Sequence, residues 1–269
     1  MTPVPVHREQ TDDRVLLEGP YSRRKELFLV LRAVRDFIAG FRALHFSGPC
    51  VTIFGSARVP EAHPYYALGR EVGRRVSQLG FGVLTGGGPG LMEAANRGAR
   101  DAGGFSAGCN IELSHEQQPN PYLDRWVTCH YFFVRKVLLF KYSYAFIALP
   151  GGFGTLDELA EALTLVQTAK ILNFPIILMG VEYWRPLLDQ MREMVRKRML
   201  DEADLRLILT TDDVDEVVAH LQSHAIDRFQ LHARHVPKAS RLLGERCYCH
   251  EPRPAQNDTA ISRTAASPS

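Results

Sequence analysis

Two glycine-rich turns are the positions in this chain best suited to hold an anion: Thr85-Gly86-Gly87-Gly88-Pro89-Gly90, ahead of Glu93, and Pro150-Gly151-Gly152-Phe153-Gly154-Thr155, ahead of Glu158. At a strand-to-helix junction such a turn offers unpaired backbone N–H groups and the positive end of a helix. Glycine lets a phosphate come close to the backbone. The spacing narrows the ligand. Leu91 stands where the third glycine of G-x-G-x-x-G belongs, and no G-x-x-x-x-G-K-[ST] occurs anywhere, so dinucleotide and P-loop triphosphate sites are disfavoured. Purely structural readings compete with this one. Tight turns need glycine anyway, Thr155 and Glu158 have the spacing of a capping box, and Glu93 has that of a first-turn carboxylate. Arg135 and Lys136 interrupt the apolar run Phe132, Phe133, Val137, Leu138, Leu139 and Phe140. Cations on so apolar a helix must reach its edge or meet a buried anion.

The elements that would carry these residues alternate. Apolar runs at Cys50–Phe54, Gly82–Thr85, Ser106–Ile111, Trp126–Thr128, Ala145–Leu149 and Pro175–Met179 read as strands. Helical patterns lie at Tyr65–Leu79, Leu91–Ala102, Phe132–Tyr142, Leu156–Thr168 and Tyr183–Met199. This is an α/β chain, a Rossmann-like doubly wound parallel sheet with an added N-terminal helix, whose ligands bind at the carboxyl ends of the strands. The expected division is a polar N-terminus and amphipathic helix over 1–47, the sheet domain over 48–224, and a basic segment with a disordered tail over 225–269. In the N-terminal helix Leu27, Val30, Leu31, Val34, Phe37, Ile38 and Phe41 recur at steps that mark one face needing a partner.

Composition excludes more than it identifies. The 269 residues are 45% hydrophobic and carry 32 Lys and Arg against 30 Asp and Glu, a formal +2. That balance gives no default nucleic-acid or membrane partner, so an anionic ligand is held locally. The basic excess at Arg228, Arg234, Lys238, Arg241 and Arg246 reads as a solvated tail, with a nucleotide sensor or DNA contact as the other reading. Five cysteines (Cys50, Cys109, Cys129, Cys247 and Cys249), with no leader and no membrane-length apolar stretch, point to a reducing cytoplasm. His115 and the run Cys247–His250 lack metal-ligand spacing, and no metal is expected.

The strings PGGFGTLDE (Pro150 to Glu158) and GGGPGLMEAANRGA (Gly86 to Ala99), with GSAR at Gly55 to Arg58 and Arg135-Lys136 between them, resemble the LOG family over about Gly48 to Leu221. Its members are cytokinin riboside 5'-monophosphate phosphoribohydrolases, often mislabelled lysine decarboxylases. The resemblance implies hydrolysis of the N-glycosidic bond of AMP or an N6-modified AMP without a cofactor. Arg135 and Glu158 fall on the family's catalytic pair. Gly151, Gly152, Gly154 and Thr155, helped by Gly87 and Gly88, would hold the 5'-phosphate, and Ser56, Glu93 and Lys136 would line the pocket. Plant members have glycine in place of Glu93. The family also implies a homodimer or higher homo-oligomer, for which the Phe132–Phe140 helix is a candidate interface. Molybdenum-cofactor carrier proteins share the fold and give the alternative of a non-catalytic binding module. Pyridoxal-dependent decarboxylation would need a Schiff-base lysine and a cofactor-binding domain that the sequence does not identify.

Overall fold

Short runs of Val, Ile, Phe, Ala and Cys pack side chains on both faces and so become central parallel strands. The structure is a computed structural model in which residues 12–17, 19, 22–113, 118–172 and 174–226 are described. The strands are β1 (Cys50–Phe54), β2 (Gly82–Thr85), β3 (Ser106–Ile111), β4 (Arg125–Cys129), β5 (Ser143–Ala148), β6 (Ile176–Leu178) and β7 (Ile208–Thr210). The helices are α1 (Asp12–Leu17), α2 (Arg23–Leu44), α3 (Pro64–Gln78), α4 (Leu91–Asp101), α5 (Phe132–Lys141), α6 (Phe153–Gln167), α7 (Val181–Arg196), α8 (Glu202–Leu205) and α9 (Val214–Leu221). All strand pairings are parallel, in the order β4-β3-β2-β1-β5-β6-β7. The chain runs outward from β1 to β4, then crosses to β5 and runs outward the other way. Its switch point therefore lies between β1 and β5.

Alternate residues of each strand supply two cores. Cys50, Phe54, Phe146 and Ala148 face one layer with Leu44, Val134, Leu138, Leu159 and Trp184. Val51, Ile53, Ala145 and Ile147 face the other with Val72, Val76, Leu91, Ala95, Val217 and Leu221. The doubly wound expectation is met, and β7 with α9 extends the sheet past the last expected strand.

The N-terminal helix forms as expected, but its buried face is another one. Of the seven apolar positions read as that face, only Phe37 packs inward, while Leu27, Val30, Leu31, Val34, Ile38 and Phe41 are exposed. The docked side is Leu29, Ala33, Phe37 and Ala43 with buried Asp36, Gly40 and Leu44. Gly40 lets α2 approach Leu138 of α5 so closely that a Cβ would sit 2.3 Å from its Cδ1. Asp36 is tolerated inside because His130 receives it, donating from the backbone N–H at 2.8 Å and meeting Asp36 through ring Nδ1 at 2.9 Å. Helix α5 is also two-sided: Val134, Leu138 and Leu139 are buried, Phe132, Phe133 and Val137 exposed. Among the described residues no helix is long and apolar enough to cross a membrane. Residues 1–11, His115, the basic segment from Asp227 onward, Cys247–His250 and the tail lie outside the described residues.

Candidate active site

Three loops leave the carboxyl ends of β1, β2 and β5, and Ser56 fastens them together. Its N–H donates to the Pro150 carbonyl at 3.0 Å, and its own carbonyl accepts from the Leu91 N–H at 2.9 Å. Its Oγ accepts from the Arg58 N–H at 3.1 Å. Gly90, at φ 69°, passes so close that a Cβ would lie 2.4 Å from the Ser56 oxygen, which makes glycine the residue for both reasons.

The turn after β2 is fixed from within. Thr85 Oγ1 donates to Asn96 Oδ1 at 2.6 Å and accepts the Gly87 N–H at 2.9 Å. Asn120 donates its N–H to the Gly87 carbonyl at 2.9 Å and its Nδ2 to the Gly88 carbonyl at 3.1 Å. Both asparagines are buried. Gly87 and Gly88 are thus held by protein groups, and neither lines the cleft.

The turn after β5 is open by contrast. Helix α6 starts at Phe153 with Gly152 as its N-cap, so Thr155 lies inside the first turn and no side chain caps the helix. The capping-box reading of Thr155 and Glu158 therefore fails, because the helix begins three residues earlier than that spacing implied. The first-turn N–H groups of Phe153, Gly154 and Thr155 have no intrahelical acceptor, and these residues, with Gly151 and Gly152, line the cleft. Tyr183 of α7 holds the turn, donating its hydroxyl to the Gly151 carbonyl at 2.5 Å.

One turn further along α6, Glu158 is 2% exposed. Its Oε1 lies 3.6 Å from Arg135 Nη1, and its Oε2 is buried with no hydrogen-bond partner. Burial pushes the Glu158 carboxyl above the ordinary glutamate value, while Arg135 and then Lys136 pull it back. Arg135 is aimed by its Nε, which donates to the Cys109 carbonyl at 3.0 Å. Its guanidinium fills the space a side chain at position 86 would take. Lys136 points to the flank, with Nζ 2.8 Å from Asp157 and 2.9 Å from Glu161. Glu93 accepts from the Tyr66 hydroxyl at 3.0 Å. Neither Lys136 nor Glu93 lines the cleft.

The cleft has a volume of about 890 Å³. Arg135, Glu158, Ser56, Gly151, Gly152, Gly154 and Thr155 meet in its wall together with the apolar Met92, Ile111, Leu113 and Phe132. Sequence reasoning missed Tyr183, Asn96 and Asn120. An asparagine on the alanine face of α4 was a usable signal for Asn96. Tyr183 had none, being brought in by the β6–α7 crossover. Among the described residues no three His, Cys, Asp or Glu side chains gather as metal ligands.

Fold and site together define a doubly wound α/β protein with an open glycine cradle and a buried Glu–Arg pair sharing one cleft beside the strand switch point. A family model described as "Possible lysine decarboxylase" matches residues 92–221. The cytokinin riboside 5'-monophosphate phosphoribohydrolase of Rhodococcoides fascians is 29% identical over 64% of this chain and 89% of its own. The enzyme of the same name, LOG, from Oryza sativa subsp. japonica is 30% identical over 69% of this chain and 76% of its own. An X-ray structure of a structural-genomics target superposes with a TM-score of 0.52 at 25% identity, covering 65% of this chain and 99% of that one. The chain belongs to the LOG family.

Proposed function

We propose that the protein hydrolyses the N-glycosidic bond of a nucleoside 5'-monophosphate, AMP or an N6-modified AMP, adding water to give free base and ribose 5-phosphate in the cytoplasm. Glu158 carries this reading: a buried carboxylate with a free oxygen, facing a cleft and held against an arginine. It lies three residues beyond Thr155, about 4.5 Å along the helix axis. A 5'-phosphate on the Gly151, Gly152, Gly154 and Thr155 cradle would thereby place its ribose beside the carboxylate. Cleavage passes through an oxocarbenium-like ribosyl cation. Glu158 would stabilise that charge or activate the attacking water, Arg135 would hold Glu158 ionised and oriented, and the apolar wall would take the base. Ser56 would face the nucleotide from the cleft wall while tying the three loops, and Gly87, Gly88, Glu93 and Lys136 would act from the frame around the cradle. A Schiff-base decarboxylase finds no support, since among the described residues no lysine lines the cleft.

The test is incubation with AMP and with N6-isopentenyl-AMP, followed by chromatography for free base and ribose 5-phosphate, for wild type and Glu158→Gln. Base release that depends on Glu158 supports the reading. No release from any nucleoside monophosphate overturns it, and a pterin absorbance in the purified protein would replace it with the cofactor-carrier alternative.

A further inference from the structure

Three asparagines are buried around the turn after β2, and two of them are spent on the fold. Asn96 bonds to Thr85, Ser106, the Ala107 carbonyl and Asn120. Asn120 also bonds to the Gly88 carbonyl and the Tyr122 N–H. Asn110, at the carboxyl end of β3, is only 6% exposed and lines the cleft, yet its carboxamide has no hydrogen-bond partner among the described residues. Side-chain amides at that depth are ordinarily satisfied, so this one is free to meet a ligand. Its Oδ1 stands over Gly87, where a Cβ would come within 2.8 Å of it, just as Arg135 stands over Gly86. Arg135 in turn is aimed by the carbonyl of Cys109, the residue before Asn110. Strand β3 lies three positions from β5 in the sheet, about 14 Å at the usual strand spacing. With a 5'-phosphate at the start of α6 and the ribose beside Glu158, the part of a nucleotide that extends toward β3 is the base. Ile111, Leu113 and Met92 offer that base an apolar surface, and Asn110 is the polar group beside them.

We propose, resting on the nucleotide reading of the cleft, that Asn110 selects the base by its N6–N7 edge. A carboxamide presents one acceptor beside one donor. Its complement is a 6-aminopurine, which gives an N6–H to Oδ1 and takes Nδ2–H at N7, whereas a 6-oxopurine presents two acceptors and satisfies only one end. A single N6-alkyl group turns toward N1, away from the five-membered ring, and leaves its N–H on the N7 side. Asn110 thus takes AMP and N6-monoalkylated AMP alike and discriminates against IMP and N6,N6-dimethyl-AMP.

Isothermal titration calorimetry on the full chain, in the Glu158→Gln background so that no turnover is needed, reads this directly. With Asn110 present, AMP and N6-isopentenyl-AMP should bind about 10- to 100-fold more tightly than IMP, N6,N6-dimethyl-AMP or 7-deaza-AMP, in which C–H replaces N7. Asn110→Ala should bring AMP, IMP and 7-deaza-AMP within threefold of one another. Since the carboxamide bonds to no described protein group, circular dichroism should be unchanged by the substitution. Equal affinity for AMP and 7-deaza-AMP with Asn110 in place overturns the proposal, and needs no variant at position 110. Ratios that survive Asn110→Ala overturn it as well, as does an absence of AMP binding. A wild-type protein that releases no base, while the calorimetric ratios are as expected, refutes the hydrolysis and supports the role of Asn110.

Discussion

Glu158 keeps one carboxylate oxygen near Arg135 and the other buried without a partner. Burial holds its folded-state pKa above the unfolded one, so the native state binds this proton more tightly. The stability it contributes is present at low pH and is lost as pH rises past the ordinary value near 4.3 through the raised one. Glu158→Gln removes that ionisation while keeping the shape. Its melting temperature at pH 7 should be no lower than that of wild type, while kcat for base release falls by about 10² to 10⁴; a large drop in both would mean that the residue serves the fold instead. The same shift sets the pH profile. The acid limb of kcat/KM should lie above the ordinary glutamate range, and Arg135→Gln, by deleting the strongest influence pulling the carboxyl down, should move that limb to still higher pH. A limb unmoved by the arginine variant would detach Glu158 from the reaction. At this scale the sequence disclosed residue types and order along the chain but not direction. Glu158 and Lys136 were singled out alike, yet one faces the cleft and the other pairs with Asp157 and Glu161 on the flank.

Between elements, the hidden determinant is the attachment of α2. Asp36 is 3% exposed and accepts from His130, whose Nε2 also lies 3.4 Å from Glu112 at the end of β3. Since His130 sits two residues before α5, this contact ties the N-terminal helix to the start of the helix that carries Arg135. Asp36→Ala leaves the half-buried His130 N–H without this acceptor and should cost about 1–3 kcal/mol, read as a lower urea midpoint at unchanged slope. Asp36→Asn keeps an acceptor and should cost less. The strands β1, β2, β3, β5 and β6 were legible because two-sided burial writes a nearly continuous apolar run, and the edge strand β4 by its alternation, with Val127 and Cys129 buried and Trp126 and Thr128 exposed. Strand β7, three half-buried residues, writes too little to see. The face of α2 was misassigned for a physical reason as well. Its docked side sets alanine, glycine and a hydrogen-bonded aspartate among Leu29, Phe37 and Leu44 for close approach, so most of its larger apolar residues mark the uncovered side. Periodicity shows that a stripe exists and does not say what meets it.

Across the whole molecule, a formal charge of +2 is compatible with the proposed anion site because the cradle at α6 would work through backbone N–H groups and one Glu–Arg pair. The sheet that supports it also encloses the free thiols of Cys50 on β1, Cys109 on β3 and Cys129 on β4. Burial pushes Cys50 up to about 12. Cys109 is raised well above the ordinary thiol value, first by its contact with Cys129, whose Sγ is 3.9 Å away, and then by burial. Alkylation needs both access and a thiolate, so the folded chain denies it at all three positions. With iodoacetamide at pH 8, their modification should run at least about 10³-fold slower than in urea-unfolded chain, set by the population of the opened state. If the seven strands open as one unit, Cys50 at the centre and Cys109 and Cys129 toward the β4 edge should be modified at a common midpoint as urea increases. Earlier modification of Cys109 and Cys129 would show that β3 and β4 open on their own. In that case the strand end that aims Arg135 through the Cys109 carbonyl would be less stable than the β5–α6 cradle it faces.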